Sequence, residues 1–158
     1  MVQSILVWTM KCPACKENLR EKNASGMTID ICYGGCGGIW FDPRELERID
    51  GRAAATLHTV WRDPAKTVVL TEPRSCPRCS DQILDRRWFS DAHQVEIDQC
   101  PRCGGIWLDE GEFSKIYEEV KGARVAPPGW SVAIAEAAAL TTSSEGTNTD
   151  VSKHPAVE

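Results

Sequence analysis

Eight cysteines are the side chains of this sequence whose type and spacing could do chemistry as a set, and they fall into two groups of four. Cys12, Cys15, Cys32 and Cys36 follow Cys-x2-Cys-x16-Cys-x3-Cys, and Cys76, Cys79, Cys100 and Cys103 follow Cys-x2-Cys-x20-Cys-x2-Cys. Two thiols on one tight turn can meet two on a facing turn as a tetrahedron, the arrangement zinc favours at about 2.3 Å per sulfur. Four thiolates leave no open position for water, so such an ion is structural. Zinc, one ion per set, is the preferred reading. Iron in a rubredoxin-like site uses similar paired knuckles, and disulfides are the alternative in an exported chain. A thioredoxin-type redox pair needs a βαβ context that the sequence lacks.

The two sets sit in an internal repeat. Cys36-Gly37-Gly38-Ile39-Trp40-Phe41-Asp42 returns as Cys103-Gly104-Gly105-Ile106-Trp107-Leu108-Asp109, each with a Cys-Pro-x-Cys upstream. A unit of about 45 residues seldom holds a fold by its core alone, so each needs a staple. The sequence predicts three regions: a first unit over 1–62, a second over 63–122, and a largely disordered tail over 123–158.

Each unit reads as a β-hairpin with thiols at its open end, followed by a capped helix: a small α+β fold. In the first, Ile5 and Val7 lead into Cys12, Asn23-Ala24-Ser25-Gly26 is a turn, and Met27, Ile29 and Ile31 alternate onto one face. Asp42, Pro43 and Glu45 fit N-cap, N1 and N3 of a helix that Gly51 ends or loosens, with a further helical stripe at Ala53, Leu57 and Trp61. Thr67 to Thr71 is β-prone. In the second unit, Ile83 to Phe89 and Gln94 to Gln99 are the strands, and Asp109 with Glu112 forms the capping box ahead of Phe113, Ile116, Tyr117 and Val120. Trp40 and Trp107 are expected to pack between hairpin and helix. The paired glycines should leave backbone N–H groups free to approach the thiolates. In the tail, Trp130 to Leu140 reads as a short alanine-rich helix, and the Ser, Thr and Asn content beyond it predicts disorder.

The formal net charge is −5, and residues 76–122 carry six Lys/Arg against ten Asp/Glu. That is no footprint for avid DNA binding. A local basic face remains to be weighed, in Arg74, Arg78, Arg86, Arg87 and Arg102 near Trp88. No stretch approaches the roughly 18 apolar residues of a membrane span, and no secretory signal is visible, so reducing cytoplasm is the expected compartment. His58 and His93 read as surface residues. The carboxylates Asp109, Glu110 and Glu112 read as helix-capping groups, so no catalytic set emerges.

The motif Cys-Pro-x-Cys followed by Cys-x2-Cys-Gly-Gly-Ile-Trp-Leu-Asp-x-Gly-Glu-Phe resembles the zinc-ribbon (zinc-finger) family named for transcription factor IIB. Residues 76–120 carry one copy and residues 12–50 a second, which departs from the pattern at Cys32-x3-Cys36 and at Pro43-Arg44, where the family usually has a glycine. The resemblance implies two tandem ribbons and a link to transcription through protein contact. A non-enzymatic protein-interaction module is the expected function. Nucleic-acid binding, and thiol or metal handling at an irregular first site, are the rivals.

Overall fold

The computed structural model describes residues 9–122. Six strands, β1 (Arg20–Ala24), β2 (Met27–Ile31), β3 (Ile39–Phe41), β4 (Asp85–Trp88), β5 (Glu96–Gln99) and β6 (Ile106–Leu108), form one antiparallel sheet in the order β1-β2-β3-β6-β5-β4. The two ribbons are therefore joined edge to edge along β3 and β6. The helices are α1 (Gly51–Leu57) and α2 (Glu112–Gly122), with a 3-10 turn at Leu46–Arg48.

The hairpins follow from local chemistry. Ser25 and Gly26 both take positive φ (54° and 85°), as a two-residue hairpin turn requires, and Asn23 Oδ1 accepts from Gly26 N at 3.1 Å. Met27, Ile29 and Ile31 are all buried, as their alternation predicts. The second hairpin occupies the two segments expected, shortened to Asp85–Trp88 and Glu96–Gln99.

Each face of the sheet carries its own core. One face packs Ile29, Ile31, Ile39, Phe41, Ile97 and Leu108 against Leu46, Leu57, Phe113, Ile116 and Val120 of the helical segments. The other gathers the cysteines with Leu19, Leu84, Trp40 and Trp107. The indoles thus lie on the sulfur side of the sheet and not between hairpin and helix. Alternation dictates this, since Trp40 stands between Ile39 and Phe41 on a strand whose neighbours face the helices.

The seam explains the second glycine of each Gly-Gly pair. Trp40 faces Trp107 across β3 and β6, and both are fully buried. A Cβ at Gly38 would fall inside the indole of Trp107, and one at Gly105 inside that of Trp40. The glycines make room for the other ribbon's tryptophan.

Three further expectations change. Gly51 opens a helix instead of ending one: Asp50 is its N-cap, accepting from Arg52 N at 3.0 Å and Ala53 N at 2.8 Å. The chain after Asp42 makes only the 3-10 turn, because Arg44 sits at φ 72° and interrupts helical geometry. Thr67 to Thr71 forms no strand, its β propensity finding no neighbour to pair with. The stretch around Ile5 and Val7 and the region from Ala123 onward lie outside the described residues.

Gly38→Ala and Gly105→Ala should each cost about 3 kcal/mol or more, since the indole cannot yield without breaking the seam. Gly111→Ala is the control: its Cβ meets nothing within 4 Å, and only its φ of 84° opposes a side chain, a cost of about 1–2 kcal/mol. Urea unfolding followed by tryptophan fluorescence checks the ranking.

Candidate metal centres

Each Cys-Pro-x-Cys is a knuckle framed by a β-bridge, Lys11 with Asn18 in the first ribbon and Ser75 with Ile83 in the second. Cys12 N donates to Glu17 O at 2.8 Å and Cys76 N to Gln82 O at 2.7 Å, folding the knuckle over its own thiols. The second knuckles leave the ends of β2 and β5 and turn back into β3 and β6. All eight cysteines come together in two groups, Cys12, Cys15, Cys32 and Cys36, and Cys76, Cys79, Cys100 and Cys103, with the sulfurs of each group within 4.8 Å of one another.

Four sulfurs about 2.3 Å from a shared ion in a tetrahedron lie about 3.8 Å apart. Cys12 and Cys36 sulfurs are 3.5 Å apart, Cys15 and Cys32 3.4 Å, and Cys76 and Cys103 3.8 Å. Both groups fit zinc. Thiols packed so closely cannot ionise independently: hydrogen bonding between Cys12 and Cys32 pushes the first up and pulls the second down. A divalent cation resolves that conflict by letting all four stay thiolate.

Backbone N–H groups support the sulfurs. Cys15 N donates to Cys12 Sγ at 3.3 Å, Cys79 N to Cys76 Sγ at 3.2 Å, and Cys103 N to Cys100 Sγ at 3.4 Å. The first glycine of each pair donates to a carbonyl of the knuckle, Gly37 N to Cys32 O at 3.1 Å and Gly104 N to Cys100 O at 2.9 Å. The amides that reach sulfur are those of cysteines, where the paired glycines were expected.

The irregular Cys32-x3-Cys36 knuckle has its own support. Gly34 N donates to Trp61 O at 2.9 Å and Asp63 N to Gly35 O at 2.9 Å, so the connector lies along the knuckle as an extra strand would. Tyr33 packs on Trp61 with ring centroids 6.1 Å apart. A Cβ at Gly35 would crowd the sulfurs of Cys32 and Cys15, which fixes glycine there.

Next to the sulfurs lies a carboxylate layer that the capping-box reading assigned only in part. Glu45 Oε2 accepts from Asp42 N at 2.8 Å and Glu112 Oε2 from Asp109 N at 2.7 Å, as a capping box predicts. The aspartate side chains do something else. Trp40 Nε1 donates to Asp42 Oδ1 and Trp107 Nε1 to Asp109 Oδ1, both at 3.0 Å. Trp-x-Asp recurs in both copies, and that was the available signal. Arg74, 3 % exposed, then bridges Asp98 at 3.0 Å and Asp109 at 2.6 Å. In the first ribbon Met10 stands at the corresponding position, and Asp42 is instead bound by Arg78 from the second ribbon's knuckle.

Among the described residues, His58 and His93 belong to neither sulfur group. His58 Nδ1 bonds Ser114 Oγ at 2.9 Å and its ring packs on Phe113, tying α1 to α2. His93, at φ 52° in the hairpin turn, stacks on Trp88, which is 46 % exposed. No described helix is long and apolar enough to cross a membrane.

Four-thiolate knuckle pairs at the open ends of two fused antiparallel units, with helices behind them, define a tandem zinc-ribbon protein. A family model described as transcription factor zinc-finger, of the transcription factor IIB zinc-ribbon type, matches residues 11–50 and 75–119. These stretches make up more than half of the 158 residues, and the chain belongs to that family. No curated protein matches the chain, and no solved structure does.

Metal analysis of untagged protein should return two zinc ions per chain, and chelation should red-shift tryptophan emission as the sulfur-side core opens. Arg74→Met should cost about 3–5 kcal/mol, because it leaves buried Asp109 without its cation, while Asp98 keeps Arg86. Burial, opposed by the bond from Asp109 N, pushes the Glu112 carboxyl up to about 7. A carboxyl raised in the folded state destabilises it above that pH, and the penalty disappears as the pH falls below the unfolded value. Glu112→Gln should therefore stabilise the protein at pH 8.5, by an amount that shrinks toward pH 6. Paired denaturant melts of the zinc-loaded proteins measure this.

Proposed function

We propose that this chain is a non-enzymatic zinc protein whose fused ribbons form one rigid module for binding another protein, within transcription. The observation that carries the reading is the closure of both sulfur cages. A four-thiolate zinc has no open position for substrate or water, and ribbons of this family are typically non-catalytic. The neighbouring carboxylates are taken up by indole, arginine and amide partners. Zinc here fixes shape, and a fixed shape is what a binding module needs. The link to transcription rests on the family's description.

The arginines that favoured nucleic acid weigh against it once placed. Arg74, Arg78, Arg86 and Arg102 each hold a carboxylate, leaving Arg87, which donates to Gln99. Phosphate would have to displace those partners.

Zinc-loaded protein titrated against purified RNA polymerase core from its own cell should show saturable binding that chelation abolishes. The same protein should give a flat titration with single- and double-stranded DNA at low salt. Absence of polymerase binding removes the transcription reading, and salt-dependent DNA binding replaces it with the nucleic-acid one.

A further inference from the structure

The helix-side face of the sheet is covered differently in the two ribbons. On the first, the chain leaving α1 forms a strap that meets the face at Val60 and continues over residues 61–63 along the Cys32–Cys36 knuckle. Val60 packs into the helix-side core, and the Cβ of Arg62 would lie 3.0 Å from a side chain added at Gly37. On that ribbon Ile31 and Ile39 are 2 % and 4 % exposed. On the second ribbon the corresponding residues are Gln99 and Ile106, and both are only half-buried. They floor a groove of about 430 Å³, walled by the Pro43–Glu47 turn on one side and by Arg87 and Trp88 of β4 on the other. β4 is an outermost strand whose four residues are all exposed.

The groove has a chemical preference. Arg44 is exposed and has no ion-pair partner among the described residues, and Arg87 donates only to the neutral Gln99 side chain. Of the two carboxylates in the lining, Asp42 is already bound by Arg78, leaving Glu47 against two guanidinium groups. Arg44 also holds φ 72°, where the other ribbon places Gly111 at 84°. Glycine adopts that conformation freely and arginine does not. An arginine kept there against its backbone preference, in a groove wall, points to a role for its charge.

We propose that this groove binds an extended acidic segment of a partner protein. An aliphatic side chain of that segment enters beside Leu46 and Ile106, as Val60 enters the core on the first ribbon, and its carboxylates meet Arg44 and Arg87. The first ribbon supplies the template, since Val60 of the chain leaving α1 is already seated on the equivalent face. There the strap is fixed by the bond from Gly34 N to Trp61 O. The second ribbon's shorter knuckle is Cys100-Pro101-Arg102-Cys103, and Pro101 has no N–H to give. A second strap from this chain would lack that bond, which favours a segment from another protein. The proposal rests on the reading of the chain as a protein-interaction module.

The test uses full-length, zinc-loaded protein and a fluorescein-labelled dodecapeptide of alternating valine and aspartate, with a valine–lysine peptide as control. Fluorescence anisotropy should show saturable binding of the acidic peptide alone. Arg44→Gly combined with Arg87→Gln should weaken it at least tenfold, while Arg48→Gln, exposed outside the groove, should leave it unchanged. Arg44→Gly by itself should raise the melting temperature and still weaken binding, which separates lost recognition from lost folding. Equal binding of both peptides, or undiminished binding by the double variant, overturns the proposal. So does a protein that takes the peptide only once residues 123–158 are removed, which assigns the groove to its own tail. A dimer in sedimentation that Arg44→Gly dissociates overturns it in favour of a second copy. If polymerase binds the double variant normally and the peptide binds neither protein, the groove assignment falls and the module reading stands.

Discussion

Everything in this molecule depends on two indoles crossing one seam. Trp40 occupies the space left by Gly105, and Trp107 the space left by Gly38, so each ribbon completes the other's core. The strands that meet there have three residues each, too few to hold a sheet by themselves. Pairing them turns two small hairpin units into a single six-stranded sheet with a core on each face. The same indoles donate to Asp42 and Asp109, whose backbone amides are held by Glu45 and Glu112. The seam is thereby coupled to the start of each helical segment, and the sulfur cages pin the far ends of the same strands. Neither ribbon can loosen at its zinc without disturbing the face it shares.

Duplicated units fused this way need not stay alike, and here they differ in charge and cover. Arg74 lies buried between two aspartates in the second ribbon, whereas the first puts Met10 there and borrows Arg78 across the interface. A buried arginine with two carboxylates contributes little net stability, because desolvation offsets the attraction. Its geometry, though, is exacting: Nε and Nη2 find no partner among the described residues, while Nη1 serves both aspartates. Such a group fits one arrangement of strand, knuckle and helix start, so it selects register more than it adds stability. Asp30, which corresponds to Asp98, has no buried guanidinium beside it, and burial, opposed by Arg78, pushes its carboxyl up to about 6.

How far the sequence could be read depended on the range of each interaction. Cysteine spacing was legible because a tetrahedral ion demands two tight turns, and tight turns are local. The hairpins were legible from alternation at Met27, Ile29 and Ile31 and from the turn before them. Asp42 and Asp109 were half legible: the glutamate three residues on does cap, but the aspartate side chain belongs to a tryptophan two residues back. The glycine beside each indole could not be explained from one unit, since the clash it avoids comes from a residue about 70 positions away, reached only when the halves meet. Gly51 misled because glycine marks helix ends by preference, and here Asp50 in front of it supplied the stronger signal.

Charge distinguishes the kinds of partner such a surface can take. The formal charge of −5 counts cysteines as neutral, and eight thiolates around two divalent ions add four further negative charges. A nucleic acid strand presents many phosphates over a long path and meets that whole field. A short peptide in the groove meets chiefly what lies within a Debye length, about 8 Å at physiological salt. Among the residues that line the groove, Arg44 and Arg87 outnumber Glu47, with Asp42 held by Arg78. The proposed acidic segment is therefore compatible with a net charge that opposes a polyanion. Added salt screens the long-range repulsion felt by either anion alike, and weakens least the contacts the peptide makes at close range.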